Sequence, residues 1–237
     1  MSALVVLTLV CVLTYSFEIV FGLAGTVMML PLLAWLYDSK TLVVYSVLPQ
    51  ILVASIGLAR SPRTVEWRFV AGMMAFAVLG ALAGLTMFYY VSLGLFRMLL
   101  ASMITLAGAY LVMSPQRLRL HPVTARLLDT LGGVSQGLFG ISGPIAMTRL
   151  LATFDNKTVV RNYAFAFFLP LNSVRALGYV VQDAYSEQIV EMMLFSAPFL
   201  VLALWFANRL HFHVREAHFR RVVAWFILLG GLSLFYR

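Results

Sequence analysis

Apolar residues run along this chain in blocks, roughly 3–37, 41–60, 69–91, 93–113, 122–154, 158–181, 188–207 and 219–236, parted by short polar stretches. Most blocks are near the ~20 residues a helix needs to cross a bilayer. The alternation of a barrel strand is absent, so helices are the predicted spanning elements. The first and fifth blocks are too long. At 1.5 Å per residue each would extend roughly 50 Å, against a ~30 Å hydrocarbon core. Small residues interrupt both: FGLAGT at 21–26 and FGISGP at 139–144. Each long block is therefore predicted to fold as a helical hairpin whose tip lies inside the protein. A kinked single crossing is the alternative.

The similarity extends beyond the tips. Phe17-Glu18-Ile19-Val20-Phe21-Gly22 lies over Ser135-Gln136-Gly137-Leu138-Phe139-Gly140. Asp38-Ser39-Lys40-Thr41 lies over Asp155-Asn156-Lys157-Thr158, and Leu48-Pro49 over Leu169-Pro170 if about one helical turn is inserted. The expected fold is thus an all-α polytopic membrane protein in one domain, 1–237. It has two repeats, 1–116 and 117–237, each a broken-helix hairpin followed by three transmembrane helices. Three crossings per repeat invert the second relative to the first, a recurrent transporter plan.

Composition supports the membrane reading. The chain is 62% hydrophobic and only 11% charged, against about 25% charged for soluble domains. Its net charge of +8 is spread over short loops, which marks cytoplasmic segments rather than a nucleic-acid surface. The basic loops are 60–68, 114–126 and 208–221. They share one side only if block five returns to its own side, which is the charge argument for the hairpins. Both termini then face outward. Met1-Ser2-Ala3 lacks the basic start of a signal peptide and is expected to be retained. Cys11 is the only cysteine, so no internal disulfide forms.

Candidate chemistry sits at the breaks and on the helices beside them. A helix start has N–H groups without internal partners and a partial positive charge. Gly25 and Thr26 open one second arm, and Ser142, Gly143 and Pro144 the other, with Ser142 or Gly143 as the cap. Gly22 and Gly25 let a ligand approach the backbone. Two such starts facing one another make an anion site; close packing through small residues is the alternative. Arginine at membrane depth is costly and marks function by default, which singles out Arg149 and Arg175. Arg175 shares a helical stripe with Asn172 and Tyr179. Arg161, about one turn inside its helix, is expected to snorkel. Gln50 and Ser46 lie a turn apart beside Pro49, as Asn172 and Ser173 lie beside Pro170. The two prolines free the carbonyls of Tyr45 and Ala166. Glu18, before the first break, is a proton-coupling candidate, a neutral hydrogen-bonding partner or an arginine counter-ion. Asp129 is expected to pair with Arg126. His121, His211, His213 and His218 read as solvated loop residues, so neither a metal nor a cofactor is expected. No G-x-S-x-G, H-E-x-x-H or P-loop occurs.

On these residues the chain resembles the TauE/SafE family of sulfite exporters, also called the 4-toluene sulfonate uptake permease family. Members carry a glycine-rich stretch and a proline near the start of each half. The matches are Gly22-Leu23-Ala24-Gly25-Thr26 with Pro31, and Gly140-Ile141-Ser142-Gly143-Pro144. Asn172 fits the family's Asn-containing helix, and Gln50 stands for the Asn of the first half. The resemblance implies transport of sulfite, sulfonates or related organic anions. With the residue reading, it makes the expected protein a secondary transporter of small anions by alternating access, not an enzyme. Its expected partners are a small anion and the lipid bilayer, with a homo-oligomer left open, in a bacterial cytoplasmic membrane. The alternatives are a passive anion channel, or an intramembrane enzyme or accessory protein acting on a lipid or quinone.

Overall fold

The computed structural model describes residues 2–22, 24–59, 65–113, 120–210, 225 and 227–236. The described residues are mostly helical, with no strand among them. The helices are α1 (Ser2–Phe21), α2 (Gly25–Leu33), α3 (Ser39–Tyr45), α4 (Val47–Ala59), α5 (Trp67–Tyr90), α6 (Leu93–Met113), α7 (Pro122–Phe139), α8 (Gly143–Leu151), α9 (Lys157–Val181) and α10 (Glu187–Leu210). A last helical stretch covers 227–233 and ends in the 3₁₀ turn Leu234–Tyr236. Six segments are long and apolar enough to cross a membrane: Ala3–Phe21, Ser39–Ala59, Trp67–Tyr90, Leu93–Tyr110, Thr158–Val181 and Glu187–Arg209. The chain is a multi-pass membrane protein. These six differ from the crossings expected from sequence at the two ends of the chain. The first arm of block one qualifies by itself, while much of block eight lies outside the described residues.

Local chemistry explains where the helices start and stop. The Asp38 carboxylate accepts from the N–H groups of Lys40 (2.9 Å) and Thr41 (3.0 Å) and so caps α3. The Asn156 side chain does the same for α9, accepting from Thr158 (2.9 Å) and Val159 (3.3 Å). Asp38 therefore corresponds structurally to Asn156 rather than to Asp155, one residue away from the match read in the sequence. Gly22 (φ 82°) and Gly140 (φ 70°) end α1 and α7 in the left-handed region, where a Cβ is costly. Pro49 lies in the first turn of α4, and the chain parts α3 from α4 at Ser46, three residues earlier. Pro170 and Pro198 lie inside α9 and α10, which continue past them.

Packing is closest where backbones touch. α5 lies along α7, and a Cβ built on Gly80 would strike the Thr130 carbonyl, on Gly84 the Val134 carbonyl, on Gly133 the Ala77 carbonyl and on Gly137 the Ala81 carbonyl. Two small-xxx-small stripes thus clasp each other, a membrane solution in which dispersion replaces the hydrophobic effect. α1 packs on α10, α4 on α9, and α6 on the last helical stretch. α2 lies against α1, where the Tyr15 hydroxyl meets Thr26 Oγ1 at 3.0 Å and Met29 Sδ at 3.7 Å. Lys40 donates to the Phe88 and Val91 carbonyls, both at 2.7 Å, tying the start of α3 to the end of α5.

The glycine seam gives a stability prediction. Gly133→Val and Gly84→Val should each cost about 1–3 kcal/mol through overpacking. Gly72→Ala and Gly94→Ala, where a Cβ meets nothing within 4 Å, should leave the melting temperature near that of the parent. Thermal unfolding in detergent reads the difference; equal shifts in both pairs would dismiss the seam as a stability determinant.

Candidate functional site

The two breaks meet near the middle of the bundle. Between them lies a cavity of about 20 Å³, enough for one water. Glu18, Ala24 and Thr26 line it from the first break, and Gly140, Ser142 and Gly143 from the second. Gln50 on α4, Gln136 on α7, and Phe168 and Asn172 on α9 complete the wall. The breaks differ in how their second arms begin. The Glu18 carboxylate faces the N–H groups of Gly25 and Thr26, so an acid already meets the positive end of α2. Gln136 is the neutral counterpart of Glu18. Ser142 takes the cap position of α8 without a side-chain cap bond, and its buried hydroxyl lacks a partner. The hydroxyl of Ser135 instead donates to the Ile141 carbonyl.

A continuous polar network runs behind the cavity. The Gln50 amide donates to Thr26 Oγ1 (2.5 Å) and to the Gly140 carbonyl (2.7 Å), joining one break to the other. The Gln136 amide donates to Gln50 Oε1 (3.0 Å) and Asn172 Oδ1 (2.8 Å). The same two oxygens accept from Arg175 Nη1, at 2.8 and 2.9 Å. Arg175 Nη2 donates to the Val43 carbonyl (3.0 Å), with Tyr179 Oη at 3.3 Å and Ser46 Oγ at 3.5 Å. The carbonyl it uses is Val43, beside the α3–α4 break, rather than that of Tyr45. Arg175 Nε is buried without a partner, and the side chain is 0% exposed. Among the described residues no carboxylate lies within 4.0 Å of the guanidinium. Its partners among the described residues are all neutral oxygens, an arrangement that leaves it attractive to an anion.

Thr26, Gln50, Ser142, Gly143, Asn172 and Arg175 are thus brought to one locus, six of the residues singled out from sequence. Gly22 and Gly25 lie behind the cavity wall: a Cβ on Gly22 would meet the Arg161 stem at 3.3 Å, and one on Gly25 would strike the Glu18 carboxylate. Arg149 is elsewhere. It sits in the last turn of α8, with Nη1 on Thr153 Oγ1 (2.8 Å) and Nε 3.8 Å from Asp129 Oδ1. Asp129 therefore faces Arg149 rather than its helix neighbour Arg126, which lies over the Phe76 ring. Arg161 does not snorkel. It is 4% exposed, with Nε on the Ile19 carbonyl (2.7 Å) and Nη2 on Asn208 Oδ1 (2.5 Å). Gln136 and Tyr15 join the network without having been singled out as site residues. For Gln136 the signal was present, since the repeat lays it over Glu18.

His211, His213 and His218, and the basic loop residues Arg60, Arg63, Arg117, Arg119, Arg215, Arg220 and Arg221, lie outside the described residues. Among the described residues no group of three or more metal-ligating side chains occurs. No curated protein and no solved structure matches the chain. The family model described as "Sulfite exporter TauE/SafE" matches residues 7–234, nearly the full length of the 237-residue chain. The chain therefore belongs to the TauE/SafE family of sulfite exporters.

Proposed function

We propose that the protein is a secondary transporter of a small oxyanion, with sulfite or a sulfonate foremost, which binds between the two breaks and crosses by alternating access. The observation that carries this reading is Arg175, buried with no carboxylate partner among the described residues, behind the amides of Gln50, Gln136 and Asn172. Thr26, Ser142 and Gly143 offer hydroxyl and backbone donors on the cavity side. Gly22 and Gly25 keep the first tip narrow. An oxyanion is larger than the single water the cavity admits, so binding requires the tips to part. That need agrees with the closed state of an alternating-access cycle.

Packing supports two inverted repeats, 1–116 and 117–237. Offsetting α1, α2 and the start of α3 by 118 positions gives the ends of α7, α8 and the start of α9. α2 and α8 both have 9 residues, and α5 and α10 both have 24. Exchanging the repeats turns the α5–α7 contact into α10–α1 and the α5–α9 contact into α10–α4, and returns α4–α9 to itself; all of these contacts occur. Hairpins at the breaks are supported by Tyr15 reaching Met29. Fourteen residues of continuous helix would hold those two about 21 Å apart. Glu18, buried at the cavity, is the residue we assign to proton coupling.

Three outcomes are expected. Arg175→Gln should weaken sulfite binding roughly tenfold to a hundredfold, the loss of a charge-assisted hydrogen bond, and Arg175→Lys only in part. Ligand-induced thermal stabilisation reads both, and unchanged affinity in folded Arg175→Gln removes the arginine from the site. In proteoliposomes, uptake should be concentrative and follow a proton gradient, a dependence that Glu18→Gln abolishes; dissipative flux would make the protein a channel, and silence with sulfite, thiosulfate, sulfonates and carboxylates alike would end the transport reading. In a Cys11→Ser background, Tyr37→Cys should label from outside intact cells and Glu66→Cys only after permeabilisation. Labelling of both from one side would refute the crossing of α3–α4.

A further inference from the structure

Arg161 repeats the setting of Arg175 at the other break. Each arginine lies against the left-handed glycine of one tip: a Cβ on Gly22 would meet Arg161 Cγ at 3.3 Å, and one on Gly140 would meet Arg175 Nη2 at 2.6 Å. Each guanidinium lies over the aromatic ring four residues on, Arg161 over Phe165 at 5.0 Å and Arg175 over Tyr179 at 5.5 Å. Each donates to a main-chain carbonyl, of Ile19 or Val43, and to a side-chain amide oxygen, of Asn208 or Gln50. Among the described residues neither has a carboxylate within 4.0 Å. Both stand on α9, where Phe168, a wall of the central cavity, lies midway between them. Fourteen residues of helix place them about 21 Å apart. The Arg161 end of α9 is also the end at which Tyr163 receives the Glu66 N–H and Asn208 donates to the Ile56 carbonyl. It therefore shares a side with Ile56 and Glu66, which flank a basic segment that the charge rule makes cytoplasmic.

A helix C-terminal carbonyl held by an arginine is an ordinary cap, and that alone would explain the Ile19 bond. It does not explain why a second charge with no carboxylate partner among the described residues is kept at 4% exposure, with an aromatic face and an amide partner matching those of the first. We infer that Arg161 is a second anion station, which takes the charge of the substrate on the cytoplasmic side of the cavity as Arg175 takes it on the outer side. This rests on the transport reading above. The ligand is the same small oxyanion. The first tip, seated on Arg161 through Gly22, is the element that would lift to admit it, and Asn208 is the partner that would give up its bond. An anion leaving Arg175 then meets a second guanidinium rather than bare hydrocarbon.

The test is the Michaelis constant for radiolabelled sulfite and 4-toluenesulfonate, measured from each face in oriented proteoliposomes. Arg161→Gln should raise the cytoplasmic-face constant roughly tenfold more than the outer-face constant. Arg175→Gln should show the opposite bias. Arg161→Lys should restore part of the cytoplasmic-face loss, and it keeps the test open if the Gln variant does not fold. A fall in maximal rate with the two constants unchanged, or raised equally, means a structural cap and overturns the inference while leaving transport intact. A wild-type protein that carries neither anion overturns the transport reading and this inference together.

Discussion

One buried positive charge, answered among the described residues by neutral oxygens, organises the centre of this molecule. A guanidinium removed from water needs its donors satisfied. At Arg175 the partners come from α3, α4 and α9: the Val43 carbonyl, the Gln50 amide, and Asn172 with Tyr179. The amide oxygens are shared with Gln136 of α7, and Gln50 passes the network on to Thr26 of α2 and to Gly140. Holding a single side chain thus draws two broken helices and the unbroken α9 to one point. The break between α3 and α4 belongs to the same requirement, because it lies beside the carbonyl that Arg175 uses.

Family membership and this geometry bear on different questions. The family describes a class of cargo carried across a membrane. The geometry says which groups in this chain have charge and donors to offer. It also says that the two halves offer different things. The first helix start is already met by Glu18, whereas the second has a free serine hydroxyl. An anion would therefore find the second break open and the first one occupied by an acid.

Much of the architecture was legible in the sequence because it rests on residues with narrow roles. Glycine-rich interruptions in overlong apolar blocks marked the breaks, and the Asn172–Arg175–Tyr179 spacing marked the inward stripe of α9. What could not be read depends on three-dimensional depth and direction. Arg161 looked close to a helix end, but the first tip and α10 cover that end. Arg149 follows the second break closely in sequence, but about two turns of α8 carry it around to Asp129. Asp155 and Asn156 are equally good caps on paper, and only the hydrogen bonds to Thr158 and Val159 select the second.

The seam between α5 and α7 has a mechanical consequence. Its glycines bring carbonyl against Cα, so the two helices mesh like a closed zip and have no side-chain layer on which to slide. α1 and α10, which pack on one another, contain no glycine, and their buried residues include Leu7 and Cys11, and Leu200 and Leu204. Side chains of that kind can exchange rotamers while their backbones shift. The two joints are therefore unequal in stiffness. Relative movement of the halves would concentrate at α1 and α10, with α5 and α7 acting as the fixed frame.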